Sequence, residues 1–235
     1  MLDIETNYKK FKKYLSAYVT RDGIKEFLEW LDTTDFKTAP ASTKYHLSEE
    51  GGLCKHSLNV FMRLINLLSN EYPKKLVGND ANGAEIWEET CPYSKESIAL
   101  VALLHDIGKA DFYKTYVKNV KNEATNTWEK VPYYAVKDES ERFIYGSHED
   151  NSIYTLRQFF KLLYEEDLAI KYHMGGIGSN EPSMSAMVYN AFKSPLALFL
   201  HIADITSICI DDNVKTLEEI SNEQNTSSTD RASEQ

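Results

Sequence analysis

The sequence predicts a predominantly helical fold carrying one β-hairpin, and three observations support this. Apolar residues recur at three- and four-residue spacing through most of the chain. Breakers gather between the periodic stretches, as at Pro40 and the Gly51-Gly52 pair. One segment, residues 112–137, changes character: FYKTYVKNV and WEKVPYYAV favour strands and flank the polar run KNEATNT, which is the pattern of a hairpin.

The elements follow in order. A first helix is expected over about residues 4–19, with KKFKK (9–13) on its solvated side. A second, GIKEFLEWL, follows Asp22, a residue type that caps helix N-termini. TTDFKTAPASTKYHLSEEGG is irregular, and a long helix then runs from near Leu53 to about Ser69. Residues 71–92 are polar with scattered Gly and Asn, and read as a loop. A helix after Ser94 carries IALVALLHDIGK and leads into the hairpin, placed at about 113–137. Helices resume near Asp150, near Glu166 and after Ser194, where Pro195 suits the first helical position. The chain thus divides into N-terminal helices packed on the core (1–35), a main domain (36–215) and a polar, disordered tail (216–235).

Composition narrows the function. No apolar run is long enough to span a bilayer, and MLDIETNYKKFKKY lacks the apolar stretch of a signal peptide, so a cytoplasmic protein without a membrane partner is expected. Cys54, Cys91 and Cys209 form no CxxC pair, which argues against a thiolate zinc site or a disulfide framework. The net charge of −10 supplies no basic face for long nucleic acid. It favours a small anionic substrate held by a local metal and a few lysines, while single-stranded nucleic acid stays compatible. The sequence leaves the oligomeric state open.

The chemistry concentrates in histidines and aspartates that ride on apolar helix faces. Ile98 to Leu104 is apolar all round, so its helix is buried, and it ends in His105-Asp106. A buried carboxylate needs a cation or several hydrogen bonds. Lys109 lies one turn further on the same face, a suitable place from which an ammonium could bind phosphate. His56 falls on the stripe Leu53, His56, Val60, Leu64, Leu67, and Asp204 on the stripe of Leu200 and Ile208. His201, three residues before Asp204, reads as support or core. His148 precedes a helix opening at Asp150 or Asn151, and His173 ends a helix closed by Gly175-Gly176. Imidazole and carboxylate without thiolate suit one or two divalent ions: Mn, Ni, Co, Fe, Zn or Mg.

The order H, HD, H, H, D (His56, His105-Asp106, His148, His173, Asp204) resembles the HD-domain superfamily of metal-dependent phosphohydrolases. PASTKYH, GGLCKHSLNV, LLHDIGK and LHIAD are also similar to HD proteins of bacterial and prophage genomes, and to the HD domain of bacterial 3′-to-5′ exoribonucleases. The likeness covers roughly residues 36–212. It implies an all-α, HD-domain helical bundle. It implies that His56, His105, Asp106 and Asp204 hold one metal, and that His148 and His173 hold a second, bridged by Asp106. His148 sits in GSHEDN, where relatives have a simpler Gly-His segment.

The catalytic residues expected on this basis are Asp106, orienting metals and water, and Lys109, which also binds the substrate phosphate. Thr43, Lys44 and His46, just before the first ligand, are candidate substrate contacts. Tyr113, Tyr133 and Tyr134 of the hairpin are candidates for stacking on a base, with the hairpin as a lid. The expected activity is phosphomonoester or phosphodiester hydrolysis of a nucleotide or short oligonucleotide. Two other readings stay open: a di-iron oxygenase with nearly the same ligand order, and a non-catalytic nucleotide-binding module.

Overall fold

The computed structural model describes residues 2–122, 125–141, 146–177 and 180–211. Among them are eight α-helices: α1 (Ile4–Tyr18), α2 (Ile24–Leu31), α3 (Gly52–Glu71), α4 (Lys95–Leu104), α5 (His148–Arg157), α6 (Tyr164–Tyr172), α7 (Met184–Ala191) and α8 (Pro195–Thr206). Two antiparallel two-stranded sheets accompany them, β1 (Lys75–Asn79) with β2 (Glu85–Glu88), and β3 (Tyr113–Asn122) with β4 (Thr127–Val136). The fold is therefore mostly helical rather than purely all-α.

Local chemistry explains where the helices start. The Asp3 carboxylate accepts from Thr6 N at 3.0 Å to open α1, and the Ser94 hydroxyl accepts from Ser97 N at 3.0 Å to open α4. Ser147 and Asp150 exchange side-chain-to-backbone bonds at the start of α5, a capping box. Pro195 occupies the first turn of α8, as its sequence position suggested.

Four expectations are corrected. Asp22 does not cap α2; Gly23, in the left-handed conformation, takes the N-cap position without a side-chain bond. His148 lies inside α5 rather than ahead of it, because the capping box places the helix start at Ser147. Residues 71–92 are not all loop: β1 and β2 pair there, from Lys75↔Glu88 to Asn79↔Glu85. Helix α7 was not anticipated. The expected tail (216–235) lies outside the described residues.

The core forms around α4, whose residues Ser97 to Leu104 are all buried. Such a helix can only sit at the centre, and α3, α6, α8 and α1 pack around it. Phe11 and Leu15 of α1 and Phe27 of α2 join Leu64, Leu100, Leu104 and Leu200 in one hydrophobic cluster. The turn after α1 is fastened to α6 by Arg21, whose guanidinium makes two bonds to the buried Glu166 carboxylate, at 2.9 and 2.8 Å. No single helix among the described residues is long and apolar enough to cross a membrane.

Candidate metal centre

Five separate segments deliver the predicted side chains to one place. His56 comes from the second turn of α3, His105 and Asp106 from the end of α4, His148 from the first turn of α5, His173 from the C-cap of α6, and Asp204 from α8. All but His148 are almost fully buried, and the His148 side chain is only 22% exposed. The rings form a continuous arc, with centroids 5.3 Å apart for His56–His105, 4.8 Å for His105–His173 and 5.4 Å for His148–His173.

Asp106 stands at the middle of the arc and presents a different oxygen to each half. Its Oδ2 lies 3.8 Å from His56 Nε2 and 3.5 Å from His105 Nε2. Its Oδ1 lies 3.5 Å from both His148 Nε2 and His173 Nε2. Asp204 Oδ1 is 3.0 Å from His56 Nε2 and 3.9 Å from His105 Nε2. Two overlapping sets, His56–His105–Asp204 and His105–Asp106–His173, have ligand atoms mutually within 4.8 Å, a separation at which each set could hold a cation.

The backbone fixes the tautomers. His105 Nδ1 is 2.9 Å from Ala102 O, and His173 Nδ1 is 2.7 Å from Ile170 O. A carbonyl only accepts, so each Nδ1 carries the proton and each Nε2 turns a lone pair toward Asp106. His201 lies one layer out, its Nδ1 2.6 Å from the carbonyl of His173 and its ring stacked on Phe192. It thus secures the backbone that bears His173.

Four of the inward atoms, His105 Nε2, Asp106 Oδ1, His148 Nε2 and His173 Nε2, are buried and have no hydrogen-bond partner among the described residues. Leaving a polar atom in that state costs about 1–3 kcal/mol, and four side by side cannot be incidental. Imidazole lone pairs facing a carboxylate are what a divalent cation requires, so the residues fit such an ion.

The electrostatics agree. Burial pushes His105 down to about 3, against the pull of Asp106 and Asp204, so its ring is neutral. Burial, aided by the Lys109 charge, pushes His148 down to about 4. Burial would also lower His173, but the Asp106 carboxylate outweighs it and the group is raised. Burial alone would raise Asp106 and Asp204. Lys109 and the imidazoles hold Asp106 well below the usual range, and His56 does most to lower Asp204.

Two glycines make the geometry possible. Lys109 follows Asp106 on a 3₁₀ turn, Ile107–Lys109, and its ammonium donates to Asp106 Oδ2 at 2.7 Å. Gly108, in that turn, lies against the start of α5: a Cβ there would stand 2.5 Å from His148 O and 2.5 Å from Ser152 N. Its N–H donates to Ser152 Oγ at 2.9 Å, which in turn donates to His148 O at 2.9 Å. Gly52 does the same for the preceding loop, since a Cβ on it would meet Leu47 O at 2.0 Å.

That loop brings His46 in and leaves Lys44 out. The His46 ring is buried with its centroid 4.9 Å from that of His56. Lys44 is exposed and lies over Tyr45, and Thr43 is half-buried. Of the three hairpin tyrosines, Tyr113 is buried beside Lys109, Tyr134 is half-buried and Tyr133 is exposed. Sequence reasoning missed Glu149, whose Oε2 is 3.3 Å from His148 Nδ1. The capping box signature SHED would have placed it beside His148 on the first turn. A cavity of about 440 Å³ opens there, lined by His148, Glu149, Lys171, Met174 and Ile177.

A helical domain whose interior gathers histidines and aspartates from successive helices around an HD pair is a metal-binding hydrolase domain in form. The family model for the HD domain matches residues 54–208, a stretch that contains every side chain of the arc from His56 to Asp204. The chain belongs to the HD-domain superfamily of metal-dependent phosphohydrolases. No curated protein and no solved structure is significantly similar to it, so the likeness stands at the level of the family.

Proposed function

We propose that this chain is a phosphohydrolase or phosphodiesterase acting on a nucleotide or short oligonucleotide. In this reading His56, His105, Asp106 and Asp204 would hold one divalent ion, and His148, His173 and Asp106 a second. The observation that carries it is the split carboxylate of Asp106, with buried imidazole atoms without partners on both sides. When bound, the ions supply Lewis acidity toward a phosphoryl oxygen and lower the pKa of a coordinated water.

The chain's own groups do the rest. Asp106 orients the cluster. Lys109, half-buried against Asp106 and raised above its ordinary value because the carboxylate outweighs the effect of desolvation, stays cationic and offsets charge that develops on phosphate oxygens. His46, whose ring tilts against that of His56, and Thr43 would contact the substrate from the 41–47 loop. Glu149, whose Oε2 lies 3.3 Å from His148 Nδ1, would orient that ring once the two close to a hydrogen bond. A neutral His148 is an acceptor at Nε2, as a ligand must be.

The test is hydrolysis of nucleoside monophosphates, triphosphates, cyclic dinucleotides and a short RNA under EDTA and then under restored Mn, Ni or Co. Activity should vanish and return, with metal analysis reporting one or two ions per chain. Full turnover by Asp106→Ala would rule the mechanism out. An iron-loaded preparation that consumes oxygen would replace it with the oxygenase reading, and tight nucleotide binding without turnover under any metal would replace it with a binding module.

A further inference from the structure

The β3–β4 hairpin is a long ribbon springing from the centre. Its ten paired positions run from Tyr113↔Val136 to Asn122↔Thr127, about 30 Å of strand. Tyr113, at its base, is buried where the charges of Lys109 and Asp106 act on its hydroxyl. Further out the ribbon is exposed, and its composition differs from the rest of the chain. Residues 113–137 contain five lysines against two glutamates in a protein of net charge −10.

Pairing sets the faces, because directly opposed residues point the same way. Lys114, Tyr116, Lys118 and Val120 share one face with Ala135, Tyr133, Val131 and Glu129, the last held by Asn122 Nδ2 at 2.7 Å. Tyr116 and Tyr133 are stacked, with centroids 5.6 Å apart and planes at 25°, and are 38% and 37% exposed. The Lys114 ammonium lies 5.2 Å from the centre of the Tyr116 ring, and that of Lys118 lies 5.5 Å from the centre of the Tyr133 ring. Lys114 is anchored by Asp138 and Glu141. Among the described residues no carboxylate is ion-paired with Lys118, Lys121 or Lys130.

We propose that this ribbon is the docking surface for a single-stranded nucleic acid, with bases stacked on the Tyr116–Tyr133 pair and a phosphate met by Lys118 on the same face. The proposal rests on the phosphohydrolase reading and names its substrate class. Charge complementarity selects the occupant: exposed rings alone would suit many partners, but rings flanked by Lys114 and Lys118, the latter with no carboxylate partner among the described residues, suit a strand of bases and phosphates. The magnitudes favour exchange. An exposed cation–π contact is worth roughly two- to fivefold in affinity, and a base on an aromatic ring roughly five- to 100-fold. A base can therefore displace the Lys118 ammonium from Tyr133 and free it for a phosphate. The other hairpin exposes Val77 and Trp87 but sets Glu88 against its one lysine, Lys75, and carries Glu85 opposite Asn79, so it offers no such match.

The experiment is fluorescence anisotropy of fluorescein-labelled oligoadenylate and oligodeoxyadenylate, each roughly 10 nucleotides long, titrated with the EDTA-treated full chain at several salt concentrations. Saturable binding is expected. It should weaken with salt by a slope of about 0.7 per phosphate neutralised, and the better-bound sugar identifies the natural strand. Tyr116→Thr/Tyr133→Thr, which keeps strand-favouring residues, should weaken binding at least about fivefold. Lys118→Glu should weaken it and flatten the salt slope. Tyr116→Phe/Tyr133→Phe should bind as tightly as the unaltered chain, and it decides the matter together with Lys118→Glu if the threonine pair fails to fold. Absence of binding to either strand, or equal binding by the unaltered chain and the threonine or Lys118→Glu variants, overturns the proposal. A chain that binds the strand but hydrolyses nothing when metal-loaded upholds the ribbon and defeats the phosphohydrolase reading. One that hydrolyses AMP yet binds no strand defeats the ribbon alone.

Discussion

Lys109 Nζ sits 2.7 Å from Asp106 Oδ2, the same oxygen that His56 and His105 face. A cation held by His56 and His105 on this side would share the Asp106 carboxylate with the lysine. Lys109→Met should leave metal content near that of the unaltered chain and lower kcat by about 10²–10³-fold, the usual loss of a group that stabilises charge in the transition state. Without metal the same change leaves Asp106 buried and short of a positive neighbour, and should cost about 3 kcal/mol in urea unfolding. A variant with unaltered kcat would remove Lys109 from the chemistry.

The two sides of Asp106 make separable demands. His148→Ala should lower the metal count by one ion and leave the His56–His105–Asp204 side loaded. Asp204→Ala should deplete the other side. Elemental analysis after equilibrium dialysis reads both. Identical losses in the two variants would show a single, undivided site.

Gly108→Ala places a methyl group 2.5 Å from backbone atoms of α5, which cannot give way as a flexible side chain would. The start of α5 must shift, taking His148 from Asp106. Thermal unfolding should register a loss of about 1–3 kcal/mol, and metal occupancy should fall chiefly on the His148 side. Unchanged occupancy would mean that α5 does not position His148.

Away from the centre, Glu166 carries the acid sensitivity of the fold. Burial works to raise its pKa, but the Arg21 guanidinium outweighs it and holds the group below 4.5. A carboxyl depressed on folding contributes stability above its unfolded value and loses it as pH falls through the folded one. The urea midpoint should therefore drop between about pH 5 and pH 3, and less steeply in Glu166→Gln. Arg21→Met strands a nearly inaccessible carboxylate and should cost about 3 kcal/mol at neutral pH.

Much of this was legible in the sequence because burial leaves periodic marks. Asp204 and His56 betray themselves as polar residues on apolar stripes, and the run before His105 has no solvated face, so α4 had to be central. The β1–β2 hairpin left no such mark: its paired residues are exposed apart from the half-buried Gly78, and nothing apolar alternates with a core. Helix α7 is short and its residues are mostly exposed, which weakens any helical stripe. Glu149 was hidden by its type, since a glutamate in a first turn reads as a dipole partner and not as a neighbour of a ligand. The hairpin tyrosines show what pairing adds: strand character was readable, but only the register decides that Tyr133, not Tyr134, lies opposite Tyr116.

The six side chains of the cluster, Asp106 among them, lie on segments scattered from residue 56 to residue 204, and no two neighbouring helices complete either half of it. The pocket can exist only once α3, α4, α5, α6 and α8 have all docked, so it is among the last features to assemble. An ion lodged there acts as a late clasp. It should leave the rate of folding nearly unaltered and retard the rate at which the finished protein comes apart.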